Sequence, residues 1–168
     1  MDSEGIMIDW IRMKYDETQE DTVSKISLKS MEFLKGRIEG DFFIEDTGLF
    51  IEKLGGFPGP YASYVQKTIG NAGIIRLLGG NTSPAYFETC ATLLLDGITS
   101  QYTGVLRGSI SIEPRGNSGF GYDPVFIPEN ETRTLAEMNL NEKNSISHRT
   151  RALAQMLAYI RSRDGPTH

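Results

Sequence analysis

The sequence predicts a mixed α/β fold whose sheet holds at least one antiparallel hairpin, which excludes a doubly wound parallel arrangement. Three observations predict it. The clearest strand, Ala85 to Leu95, runs into Asp96-Gly97, a hairpin turn signal, and Gln101 to Ile112 returns as its partner. Val23, Ile26, Met31 and Leu34 recur near helical spacing behind a cap at Asp21 or Thr22. A final helix from about Ser147 turns Ala152, Leu153, Met156, Leu157 and Ile160 inward.

The remaining elements follow in chain order. Ile6 to Met13, centred on Trp10, reads as a strand, and Lys14 to Asp21 as an acidic loop containing Glu17. The first helix follows and Gly36 stops it. Lys25 and Lys29 lie four apart on one of its faces. Phe42-Phe43-Ile44 reads as a buried strand leading into Glu45-Asp46-Thr47-Gly48, with Leu49 to Leu54 still extended. The Gly and Pro content of Gly55 to Pro60 predicts a turn without a regular element. Two short helices, Tyr61 to Ile69 and Gly73 to Leu78, are split at Gly70-Asn71. Pro114 to Gly119 is irregular, Val125-Phe126-Ile127 is a short strand ended by Pro128, and Asn139 with Glu142 forms a capping box.

Composition narrows the function classes. The 168 residues suffice for one domain, taken as 1–168, with a real core. A net charge of −5 without a basic block disfavours nucleic acid and anionic membrane as partners. The single cysteine, Cys90, excludes an internal disulfide and a multi-cysteine zinc site; inside an apolar strand it reads as buried filler. No apolar run approaches the ~20 residues of a membrane span, and the acidic N-terminus lacks a signal peptide's basic start, so the expected location is cytoplasmic.

Several standard sites are absent. No Gly-Lys dipeptide supports a Walker loop, no Gly-x-Gly-x-x-Gly a dinucleotide fold, and no Gly-x-Ser-x-Gly a hydrolase elbow. Two features remain, the first between Gly119 and Arg149. Gly119-Phe120-Gly121-Tyr122-Asp123-Pro124 sets aromatic rings on a bendable backbone, and Lys143, His148 and Arg149 follow within seven positions of one another. Rings that stack on a base and cations that meet phosphate or a base oxygen suit a nucleotide. Glu17, Glu45 and Asp46 are carboxylates of the kind Mg²⁺ takes alongside substrate phosphates. Glu45 and Asp46 are neighbours on a strand and point to opposite faces, so only one can face a given site.

Four segments together resemble the inosine triphosphate pyrophosphatases: Phe43 to Leu49, Leu54 to Tyr61, Gly119 to Pro124, and Glu142 to Arg149. The resemblance spans about residues 5 to 162 in the family's order. It implies a long twisted mixed sheet between two lobes with a cleft, usually in a homodimer. It implies Mg²⁺-dependent hydrolysis of noncanonical purine nucleoside triphosphates (ITP, dITP, XTP) to the monophosphate and pyrophosphate. Carried over by position, Asp46 resembles the general base and a metal ligand, and Glu17 the second metal carboxylate. Thr47 would contact substrate, while Lys29 and Lys143 would hold phosphate. Phe120 would stack on the base in a pocket shaped by Gly121, Tyr122 and Asp123, and His148 and Arg149 would meet the six-position oxygen. The family's Thr/Ser-x-Asn-x-x-Lys motif occurs nowhere in the sequence. The chain therefore resembles a shortened member lacking the first strand and helix, with an exposed sheet edge and impaired hydrolysis as the alternative expectation.

Overall fold

The computed structural model describes residues 7–9, 11–13 and 19–163. Helix α1 (Val23–Leu34) begins where Thr22 Oγ1 accepts the Lys25 N–H at 3.2 Å. Its stripe of Val23, Ile26, Met31 and Leu34 is buried as the spacing predicts, and Gly36 lies just beyond its end at φ +88°. Strand β1 (Phe42–Ile51) leads to a 3-10 turn over Glu52–Leu54 and the two-residue strand β2 (Pro58–Gly59). Helices α2 (Ala62–Thr68) and α3 (Gly70–Leu77) follow. The long strands β3 (Ser83–Leu95) and β4 (Ile98–Ile110) are joined by Asp96 at φ 50° and Gly97 at φ 76°, the paired left-handed conformations of a type I′ hairpin. Strand β5 (Phe126–Pro128), helix α4 (Leu140–Ile146) and helix α5 (His148–Arg163) complete the order.

The five strands form one sheet in the order β2-β1-β3-β4-β5, and every pairing is antiparallel. Among the described residues the mixed sheet expected from the resemblance is therefore not formed. Neighbouring strands here run in opposite directions, even β1 and β3, which the chain joins through β2, α2 and α3. β1 pairs with β3 along its whole length but with β2 only at Leu49 and Phe50. Its other edge over residues 42–48 has no strand partner among the described residues.

Odd-numbered side chains of β1 and β3 face one way and even-numbered ones the other. On the first face Leu49, Ile51, Phe87, Ile74, Val125 and Phe126 build one core cluster under α2 and α3. Ala91 and Leu93 build a second cluster with Ala152 and Met156 of α5. The other face meets α1 through a polar seam. Ser27 and Thr92 share a 2.6 Å hydroxyl contact there, and Gln101 Nε2 donates to the Ser24 carbonyl at 2.9 Å. Cys90 is buried in this seam, as expected of filler, and burial pushes its thiol pKa up.

Four local expectations are corrected. Residues 7–9 and 11–13 are exposed and outside any strand, because alternation supplies a face but not the ladder partner that makes a strand. Phe42, Phe43 and Ile44 are half-buried rather than buried. Extended structure ends at Ile51 rather than Leu54. Pro58 and Gly59 do form a regular element, at the sheet edge, where a proline without N–H is tolerated.

Candidate functional site

The segment Gly119 to Asp123 folds as a tight turn around its own carboxylate. Phe120 N–H donates to Asp123 Oδ2 at 2.9 Å, and Asp123 N–H returns to the Phe120 carbonyl at 3.1 Å. Gly119 sits at φ +78°, and a Cβ there would stand 2.1 Å from Asp123 Oδ2, so the turn demands glycine. Lys143 from α4 forms an ion pair and hydrogen bond with the buried Asp123 carboxylate. Its ammonium lies 4.6 Å from the Phe120 ring centroid, and the Arg149 guanidinium carbon lies 5.7 Å from the same ring. The ring itself is 65% exposed, so it remains free to stack. Tyr122 turns inward instead, its hydroxyl donating to the Ala62 carbonyl at 2.7 Å.

The predicted capping box delivers Lys143, and the helix after it delivers Arg149. Asn139 and Glu142 exchange side-chain-to-backbone bonds and start α4, which carries Lys143. Ser147 breaks the helix and α5 starts at His148. The His148 ring stacks on Phe87 with centroids 4.8 Å apart and a 12° interplanar angle. Its Nδ1 is buried with no hydrogen-bond partner among the described residues. Burial first, then the neighbouring cations Arg149, Lys143 and Arg151, lower its pKa to about 3. At neutral pH it is therefore an uncharged imidazole. Arg149 Nε stands 3.0 Å from Glu45 Oε1 as an ion pair, though the N–H is not aligned for a hydrogen bond.

Strand alternation divides the acidic motif as expected. Glu45 lies opposite Ala91, on the α5 face with Arg149. Asp46 lies opposite Cys90, on the face that α1 covers, and is half-buried. Thr47 returns to the α5 face, where its hydroxyl meets that of Thr89 at 2.7 Å. Lys29 is on α1, exposed and paired with Glu20, whose carboxyl it holds below the usual range. Thus Phe120, Gly121, Tyr122, Asp123, Lys143, His148 and Arg149 gather around one turn. Asp46 belongs to the other side of the sheet, one strand position from Glu45, and Lys29 to the helix α1 that covers that side. Glu17 lies outside the described residues.

No group of three His, Cys, Asp or Glu side chains is poised for a metal among the described residues. Magnesium does not require one, since it is commonly held by one or two carboxylates with waters and substrate phosphates. Asp46 is a half-buried carboxylate on the α1 face of β1, a donor of the kind magnesium takes, so the residues present fit Asp46 as a ligand.

Sequence reasoning missed three contributors: Glu45 as the partner of Arg149, Phe87 as the platform under His148, and Gln66 with Asn71. Both amides donate to the Gly121 carbonyl at 3.0 Å. Each contact joins positions more than forty residues apart, where no local signal exists. A groove of about 670 Å³ lined by Phe50, Tyr86, Arg107 and Glu129 contains none of the expected site residues.

Comparison with known proteins places this arrangement. The profile of the Ham1 family matches residues 4–159. A dITP/XTP pyrophosphatase of Thermococcus kodakarensis is 44% identical over 158 residues, 94% of this chain and 85% of the relative. A dITP/XTP pyrophosphatase of Pyrobaculum aerophilum is 49% identical over 150 residues, 88% of this chain and 80% of the relative. The solved structure of a HAM1 protein from Coxiella burnetii superposes with a TM-score of 0.81 at 27% identity, covering 89% of this chain and 81% of that one.

Proposed function

Because the chain belongs to the Ham1 family, we propose that it hydrolyses noncanonical purine nucleoside triphosphates (ITP, dITP and XTP) to the monophosphate and pyrophosphate. One observation carries this reading. Arg149 lies beside the exposed Phe120 ring and pairs with Glu45, the neighbour of Asp46, so a base site on one face of β1 lies one strand position from a carboxylate suited to phosphate chemistry on the other.

The base stacks on Phe120, with the Lys143 and Arg149 charges at that ring. Arg149 and neutral His148 address the six-position oxygen. Hypoxanthine and xanthine present an acceptor there, whereas adenine presents an amine and leaves the Arg149 donors unpaired, at a cost of about 1–3 kcal/mol. The phosphates pass over the open edge of β1 beside Asp46 and Thr47 and reach the α1 face, where Lys29 supplies a cation.

There the Asp46 carboxylate accepts the proton of the attacking water. Water oxygen bonds to the α-phosphorus, the α–β anhydride bond breaks, and pyrophosphate leaves. Asp46 and Glu17 would hold Mg²⁺, which supplies charge neutralisation on the triphosphate when bound. The reading extends to one domain, a homodimer and a cytoplasmic location, the last supported by a lone buried cysteine that forms no disulfide. A second reading is a nucleotide-binding homologue of that family impaired in hydrolysis.

The test offers ITP, dITP, XTP, GTP and ATP with Mg²⁺ and identifies products. Monophosphate with pyrophosphate from the first three supports hydrolysis. Orthophosphate as first product sinks it. IMP binding without turnover favours the second reading.

A further inference from the structure

We infer that Gln66 and Asn71 are positioning residues that set the plane of the Phe120 ring through the Gly121 carbonyl, an inference resting on the base site proposed above. Gln66 belongs to α2 and Asn71 to α3, two helices separated by Ile69 and started afresh at Gly70, φ +60°. Their Nε2 and Nδ2 atoms both donate to Gly121 O at 3.0 Å. A carbonyl oxygen has two lone pairs, and here two side chains from separate helices occupy both.

Little else holds this peptide. Gly121 is at φ +61° with nothing within 4 Å of where a Cβ would be, and the Phe120 ring is 65% exposed. Packing therefore cannot fix the ring, and the backbone must. The Phe120 N–H is tied to Asp123 on one side and the Gly121 carbonyl to the two amides on the other. Tyr122 adds its hydroxyl bond to Ala62 of α2, so the turn is fastened to the α2–α3 pair at three points.

The arrangement is unfavourable as pure scaffolding. Gln66 Oε1 and Asn71 Oδ1 are buried and have no partner among the described residues. Buried unsatisfied acceptors are costly, and apolar residues on these helices would avoid them. The donors are thus placed for the turn rather than for the stability of their helices.

The experiment compares wild type with Gln66→Met and Asn71→Asp. It measures kcat and KM for dITP and XTP, inhibition by inorganic tripolyphosphate (which has no base), IMP affinity by calorimetry, and thermal melting. At pH 8 each variant should raise KM about fivefold to tenfold, the ratio for one lost neutral hydrogen bond. Over the same comparison kcat and tripolyphosphate inhibition should change less than about twofold. For Asn71→Asp, KM should fall back as pH drops toward about 4, near the ordinary carboxyl pKa, where the group regains an O–H donor. Unchanged KM in both variants overturns the inference. So does parallel weakening of tripolyphosphate, which marks general damage. If wild type turns over neither substrate, the hydrolysis reading fails by itself. IMP affinity then decides, with weakening in the variants supporting the clamp and equal affinity overturning it.

Discussion

Arg149 Nε and Glu45 Oε1 stand 3.0 Å apart, joining the first turn of α5 to β1 at the strand position before Asp46. Both side chains are partly exposed, 41% and 32%, so the pair contributes at most about 1 kcal/mol to stability. Its value lies in holding the guanidinium beside the Phe120 ring. Glu45→Gln should leave the melting curve within about 1 kcal/mol of wild type. In the same variant KM for XTP should rise about threefold, a fraction of one hydrogen bond's worth. Arg149→Met should raise it about 10- to 100-fold, as expected for a lost charged hydrogen bond. Steady-state kinetics with XTP check both. Equal penalties for the two variants would show that Glu45 does more than orient its partner.

Asp46 projects to the α1 face, away from the turn that carries Phe120. Asp46→Asn should therefore separate chemistry from base binding. Turnover should fall about 10²- to 10⁴-fold, the range for a positioned general base. IMP affinity should be unaltered within error. Calorimetry with IMP and pyrophosphate release on the same preparation give the answer. Loss of IMP binding in step with turnover would place the carboxylate in the base pocket instead.

What the sequence made legible was local or periodic. The Thr22 cap, the Asp96-Gly97 hairpin and the Asn139/Glu142 box each depend on residues within four positions, and all three form. The opposite facing of Glu45 and Asp46 needed only the pleat. The motifs of the resemblance picked out the Gly119–Asp123 turn with Lys143 and Arg149, and these do converge on the Phe120 ring. Unreadable were the contacts that close over long separations: Phe87 under His148, Gln66 on Gly121, and the pairing of Glu45 with Arg149. The expected strand, seen to be absent over residues 7–9 and 11–13, failed for a related reason. Its alternation was visible, but strand formation depends on a partner that alternation cannot name.

His148 carries a pH dependence with a definite sign. Its pKa falls from an ordinary 6.5 to about 3 in the folded chain through burial and then its cationic neighbours. Between those values the unfolded chain binds a proton that the folded chain refuses, so stability rises with pH across that window. The stabilisation is complete above about pH 6.5 and is lost as pH falls toward about 3. Its slope is at most about 1.4 kcal/mol per pH unit, one proton's worth. His148→Gln should flatten the dependence by up to one proton. Urea midpoints at several pH values between these limits test it. An unchanged slope in the variant would assign the acid sensitivity to the carboxylates.

At Gly104 of β4 the start of α5 packs directly on the sheet. A Cβ there would lie 2.0 Å from the His148 carbonyl oxygen, 2.6 Å from the Ala152 nitrogen and 3.0 Å from Arg151 Cβ. Two of those atoms are helix backbone, which cannot rotate aside as a side chain could. Gly104→Ala must therefore push the start of α5 outward, at a cost of about 1–3 kcal/mol for an overpacked contact. Because His148 and Arg149 begin that helix, the displacement should also loosen the base site. KM for XTP should rise while tripolyphosphate inhibition stays near wild type. The urea midpoint measures the first effect and inhibition kinetics the second. A variant as stable as wild type would mean that α5 can rest farther from β4 without penalty, and the coupling between sheet contact and base site would be lost.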